Sequence, residues 1–127
     1  MSGLYPFVDS IPDMDREAIV RTYYRSIDDD EYGALGDVLT DGFVHYRPDR
    51  TIEGRDAFVS FMRDERPDRD TEHSLEAMYF DDEGGRVAAE GQLLRSSGAE
   101  WFGFVDTFEI DERGIRRVRT YTALGSE

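Results

Sequence analysis

The chain has 127 residues, the size of one ordinary domain, which buries roughly two thirds of its unfolded surface, and a two-domain organisation is excluded. An apolar share of 39% with 13% aromatics supplies a core, while no apolar run approaches the roughly 20 residues of a membrane span. With 29 acidic residues against 15 basic ones the formal net charge is −14, which repels nucleic-acid phosphates and anionic membrane surfaces, so neither is expected as a partner.

All 15 basic residues are arginine, and lysine is absent. Two causes fit: a GC-rich genome that favours arginine codons, and a cytoplasm near molar salt, where the Debye length falls to about 3 Å and self-repulsion is screened. The acidic runs Asp28-Asp29-Asp30-Glu31 and Asp81-Asp82-Glu83 favour the salt-adapted account, because carboxylates hold water when other solutes are salted out. Cysteine is also absent, which excludes disulfides, thiolate catalysis and thiolate metal sites. Met1 to Val8 lacks a basic segment followed by a long apolar one, so it does not read as a secretory signal. The expected location is the cytoplasm of a halophilic organism.

Residues 1–12, closed by Pro12, read as an arm, and 13–127 as the domain. Ile19, Val20, Tyr23, Tyr24 and Ile27 form the stripe of an amphipathic helix, with Asp13 available to cap it. The acidic tetrad ends that helix, and Tyr32 to Leu39 predicts a shorter one carrying Tyr32, Leu35 and Leu39 on one side. After Gly42, Phe43 to Arg47 alternates as a strand, Pro48 stops it, and Thr51-Ile52 returns as a short partner. Arg55 to Glu65 is helical again through Ala57, Phe58, Phe61 and Met62, and Arg66 to Asp70 is a polar loop. The period then changes to two, predicting strands at about 73–80, 86–95, 99–110 and 114–124, separated by turn signals of hairpin length.

This order predicts an α+β domain in which three N-terminal helices pack on one face of a curved, mostly antiparallel sheet. Such a sheet makes a cone, whose open end suits a small ligand.

Alternation on the 99–110 strand puts Phe102, Phe104, Asp106, Phe108 and Ile110 on one face and Trp101, Gly103, Val105, Thr107 and Glu109 on the other. Asp106 is a carboxyl in an apolar row, and if that row faces the core, burial raises its pKa. Two accounts stay open: Asp106 pairs with an arginine or a backbone amide and holds the sheet together, or it enters the cavity as a neutral donor or proton carrier. Tyr23 and Tyr24 lie in the helical stripe, so at least one hydroxyl needs a partner. Phe43, His45 and Arg47 share a face of the first strand, and His45 is either a satisfied strand histidine or a general base. His73, in line with Leu75, Ala77 and Tyr79, has the same two readings. No metal-ligand spacing, Gly-rich phosphate loop or nucleophile elbow is present.

The sequence resembles the nuclear transport factor 2-like superfamily, and within it the SnoaL-like proteins and ketosteroid isomerase. The resemblance rests on Ile19-Val20-Arg21-Thr22-Tyr23-Tyr24 through Leu39-Thr40-Asp41-Gly42-Phe43-Val44, on Ile52 to Phe58, and on Phe104 to Asp111. It implies a cone-shaped α+β barrel and a homodimer paired through the outer sheet face, for which Trp101, Val105, Val87 and Ile115 offer apolar surface. By the same resemblance Tyr23 and Asp106 fall where ketosteroid isomerase holds its oxyanion donors. The position of its aspartate base falls at Arg47, and a cation cannot take up a proton there, so a steroid isomerase is not expected.

The enzyme reading is therefore proton transfer or cyclisation on a small carbonyl compound, with Tyr23 and Asp106 holding the oxyanion and His45 as base. Arg47 is a candidate for a substrate carboxylate. Tyr24, Phe43, Phe58, Phe61, Met62 and His73, with Phe102, Phe104 and Phe108, are the expected lining, and no metal or cofactor is implied. The alternative reading is a non-catalytic carrier of an apolar ligand, or a dimeric accessory or structural domain. The fold supports unrelated activities, so the choice between them rests on the cavity.

Overall fold

The computed structural model describes residues 13–66, 70–83, 85–95 and 97–124, and the expected arm lies outside them. Helix α1 (Asp13–Asp28) buries Val20, Tyr23, Tyr24 and Ile27, the stripe expected from spacing. Asp13 is its first helical residue, one place inside the expected cap. The acidic tetrad ends α1 through backbone geometry. Asp30 takes the left-handed conformation at φ 59°, and the Glu31 and Asp30 amides donate to the carbonyls of Ser26 and Ile27.

Helix α2 (Tyr32–Asp37) is shorter than expected, because the chain is already extended at Leu39, where strand β1 (Leu39–Tyr46) begins. Strand β2 (Thr51–Glu53) returns beside it. Helix α3 (Arg55–Ser60) continues into a π-helical turn, Phe61–Glu65, which buries Phe61 and Met62. Strands β3 (Thr71–Phe80), β4 (Arg86–Arg95), β5 (Glu100–Asp111) and β6 (Gly114–Leu124) form the expected antiparallel meander.

One six-stranded sheet results, in the order β2-β1-β6-β5-β4-β3. The β1–β6 contact is parallel and the other contacts are antiparallel, so the sheet is mixed and does not close. The helices cover its concave face. The core between them joins Val20, Leu35 and Phe58 to Phe43, Phe108, Ile115 and Val118 of the sheet.

Three extra residues re-aim the strand faces. On β3, Leu75 opposes Gly91 and Ala77 opposes Glu90, so Glu76 is additional. Beyond it Met78 and Phe80 turn inward and Tyr79 outward, whereas strict alternation had aligned His73 with Ala77 and Tyr79. On β5, Leu93 opposes Phe102 and Leu94 opposes Glu100, which leaves Trp101 additional. On β6, Glu109 opposes Arg117 and Ile110 opposes Ile115, which leaves Arg116 additional and turns Val118, beyond it, into the core beside Phe108, while Ile115 is internal opposite Ile110. Val87 stands opposite the buried Phe108 and is likewise internal. Neither Val87 nor Ile115 therefore contributes to the outer face, which instead exposes Tyr79, Val105 and Tyr121.

Candidate functional site

Between α1, the π-helical turn and the concave face lies a cavity of about 360 Å³, mostly apolar, within the size range of small-molecule sites. Ile27, Met62, Leu93, Phe102 and Phe104 give it apolar walls. Trp101 joins them because the bulge at that residue cancels the alternation that had assigned it outward.

Asp106 reaches the cavity from the centre of β5 and is buried. Its partners are neither an arginine nor a backbone amide. Tyr24 Oη donates to Oδ2 at 2.6 Å and Thr120 Oγ1 donates to Oδ1 at 2.5 Å. Burial raises the Asp106 pKa, and the hydrogen bonds from Thr120 and Tyr24 pull the other way without cancelling it. Protonated, the carboxyl gains one donor that neither neighbour occupies.

Thr120 was not anticipated. Counting residues back from the β5–β6 turn, where Asp111 opposes Gly114, sets Arg119 opposite Asp106; the extra Arg116 moves the partner to Thr120. Had that bulge been absent, the pairing would have been a buried ion pair. Its weak sequence signal is the inward spacing of Ile115 and Val118, which strict alternation forbids.

Tyr23 and Tyr24 divide their work. The Tyr24 hydroxyl is committed to Asp106, whereas the Tyr23 ring stacks on Phe58 and its hydroxyl has no hydrogen-bond partner among the described residues. Tyr23 lines the cavity. Burial raises the pKa of both phenols, and the nearby Asp106 adds to it, so both remain protonated donors.

His45 also lines the cavity, and its Nε2 lies 2.8 Å from Thr120 Oγ1. Since Thr120 donates to Asp106, His45 Nε2–H donates to Thr120, and the unprotonated nitrogen is Nδ1. That Nδ1 is buried without a partner among the described residues. Burial, reinforced by the Arg47 cation, lowers the His45 pKa to about 3. The ring is therefore neutral, with its free lone pair sealed from a ligand, and this geometry suits a residue that positions Thr120 better than the base anticipated from sequence.

His73 is held differently. Asp28 at the end of α1 accepts from the His73 backbone amide at 2.9 Å and from Nδ1 at 2.7 Å. A carboxylate at Nδ1 fixes the proton there and leaves Nε2 as the basic nitrogen. His73 lines the cavity and the outer cleft beside α1, which Asp28 also lines. The Asp28 contribution was missed because its acidic run reads as a helix terminator.

Arg47, one residue beyond β1, stands at the cavity wall with Pro48 and Asp49. Arg66 also reaches the wall, but its guanidinium is spent on the carbonyls of Met62 and Ile27, on Thr71 and on Asp30. Of the expected lining, Arg47, Met62, His73, Phe102 and Phe104 face the cavity. Phe43, Phe58, Phe61 and Phe108 are core residues behind that wall, and Tyr24 stands outside the lining, bonded to Asp106 and with its ring against His73 and Phe104. Among the described residues no cluster of three or more His, Asp or Glu side chains is placed to hold a metal. Among the described residues no helix is long and apolar enough to cross a membrane.

Several solved structures share this architecture. A protein of unknown function with a cystatin-like fold from Methylobium petroleophilum PM1 superimposes with a TM-score of 0.79 at 17% identity, over 93% of this chain and 82% of its own. An NTF2-like protein of unknown function from Burkholderia xenovorans LB400 gives 0.75 at 14%, over 91% and 88%. A proposed polyketide cyclase from Xanthomonas campestris pv. campestris gives 0.69 at 22%, over 85% and 90%. At these identities the likeness establishes the fold alone. No curated protein matches the chain. The family model of the SnoaL-like domain matches residues 20–118, most of the described fold, and the chain therefore belongs to the SnoaL-like family.

Proposed function

We propose that the protein binds a small carbonyl compound in this cavity and moves a proton on it, in an isomerisation or a cyclisation. The observation that carries the reading is the convergence on one apolar cavity of a free phenol (Tyr23), a buried carboxyl (Asp106) and an imidazole oriented by a carboxylate (His73 with Asp28). His73 Nε2 takes a proton from the carbon next to the carbonyl, and Asp28 stabilises the imidazolium. The enolate oxygen receives hydrogen bonds from Tyr23 and protonated Asp106, and the imidazolium returns its proton to a different carbon. His45 and Thr120 keep Asp106 in place. The similarity to a proposed polyketide cyclase is compatible with this chemistry.

The test is deuterium exchange at the carbons flanking the carbonyl of cyclohexanone and 2-tetralone in D2O, followed by NMR. Exchange above the buffer rate, reduced about 100-fold or more in His73→Gln, is expected for a general base. Buffer-rate exchange of a ketone that demonstrably binds removes the catalytic reading and leaves a carrier.

The partner we propose is a second copy of this chain against the outer sheet face. Its support is the apolar surface left there by Val105 and Tyr121, which are paired across β5 and β6, and by Tyr79.

A further inference from the structure

We infer that the ligand of this cavity is an organic acid, and that Arg47 binds its carboxylate. The inference rests on the small-carbonyl reading and narrows it to carbonyl compounds that carry a carboxylate. Its starting point is how little of the Arg47 guanidinium the protein uses. Nε donates to Asp49 Oδ1 at 3.1 Å, and Nη1 and Nη2 have no partner among the described residues. Five N–H groups in a planar fork are the matching shape for a carboxylate, and four of them remain.

Those four are held in place. The Arg47 guanidinium lies 5.0 Å from the Phe61 ring centroid, and Arg50 lies 5.1 Å from the same ring. Asp49 is shared, with Oδ1 to Arg47 and Oδ2 to Arg50 at 3.3 Å. Two cations around one carboxylate leave the cavity wall locally positive in a chain whose formal charge is −14. The Arg47 side chain is 25% exposed, an intermediate position in which a ligand carboxylate replaces water around the fork at modest desolvation cost.

The other charges facing the cavity do not compete for this role. Arg66 is consumed by α1 and the π-helical turn, and His73 Nδ1 is held by the Asp28 carboxylate. Asp106 is the deep carboxyl, and its burial favours the neutral form, which spares an incoming anion its repulsion. The apolar walls then hold the body of the acid, with its carbonyl beside Tyr23.

Trp101 is the single tryptophan of the chain and lines the cavity, so its fluorescence reports occupancy. The probes are 3-phenylpropanoate and its uncharged analogue 3-phenylpropanamide, titrated at 0.1 M salt into the full chain and into Arg47→Gln. The acid is expected to bind the natural chain roughly tenfold or more tightly than the amide, and Arg47→Gln to reduce the acid to the amide's affinity. Far-UV circular dichroism and amide binding establish that the variant is folded. Equal affinities in the natural chain, or a preference for the acid that survives Arg47→Gln, overturn the inference while leaving the carbonyl reading intact. If neither compound changes Trp101 fluorescence or binds by calorimetry, both readings fall together.

Discussion

Tyr24 donates its hydroxyl to Asp106 Oδ2 at 2.6 Å, while the hydroxyl of Tyr23, one residue earlier, meets the cavity unpartnered. Adjacent residues on one helix thus have separable places, one bonded within the protein and one facing the cavity. Tyr24→Phe leaves a buried carboxyl short of a donor and is expected to cost about 1–3 kcal/mol in urea unfolding. Tyr23→Phe removes no internal hydrogen bond and should stay within about 0.5 kcal/mol of the natural chain. Equal losses for the two variants would contradict this division.

His45 predicts an acid sensitivity. Its folded pKa of about 3 lies below the unfolded value near 6.5, so the unfolded chain binds the proton first as pH falls. Stability from this residue is complete above about pH 6.5 and is lost towards pH 3, at about 1.4 kcal/mol per pH unit inside that window. Asp106 has the opposite sign, because its raised pKa makes its contribution greatest at low pH. Urea unfolding from pH 7 to 4 should show a shallower decline for His45→Asn than for the natural chain; parallel curves refute the assignment.

Gly91 stands opposite Leu75, beside the Glu76 bulge. A methyl group there runs into the Ser74 carbonyl oxygen and lies 3.1 Å from Phe104 Cζ, a cavity wall atom. Gly91→Ala should therefore destabilise by roughly 1–3 kcal/mol and also weaken ligand binding, since relief displaces either β3 or Phe104. A variant with unchanged melting temperature would show that the strands part freely at this point.

The charge excess predicts a response to salt. Raising NaCl from 0.1 to 1 M shortens the Debye length from about 10 to 3 Å and screens repulsion among 29 acidic residues. The melting temperature should rise, by roughly 3 °C or more for each kcal/mol of repulsion relieved. No change on adding salt would remove the salt-adaptation argument drawn from composition.

For the outer sheet face, Tyr121 at 54% exposure and Val105 at 36% form a cross-strand pair suited to burial against a second copy. Sedimentation is expected to give a dimer, which Val105→Glu combined with Tyr121→Glu converts to a monomer of unchanged circular dichroism. A monomeric natural chain at micromolar concentration would refute the pairing.

The sequence reveals what is local. The α1 stripe, the meander and the inward row of β5 all follow from a period of 3.6 or 2, and each is present. It conceals what depends on counting across strands. One additional residue at position 76, 101 or 116 inverts every side chain beyond it, and only the paired register reveals it. Strict alternation therefore points Trp101 outward and sets Arg119, not Thr120, opposite Asp106. The choice between Tyr23 and Tyr24 was hidden for another reason: both lie in the buried stripe, and a rotation smaller than the angle between neighbours decides which reaches Asp106.

The parallel contact of β1 with β6 joins residues some seventy positions apart, His45 to Val118 among them, whereas β3 to β6 are linked by successive hairpins. Contacts that close long loops come late in folding, so the meander is expected to assemble first and β1 to dock onto it afterwards. The bond between His45 and Thr120 crosses that seam. Thr120, which donates to Asp106, is therefore held by His45 only at the final docking step, and a ligand that touches both Arg47 and Asp106 is expected to act as a clamp, slowing the release of β1 more than it speeds the formation of the meander.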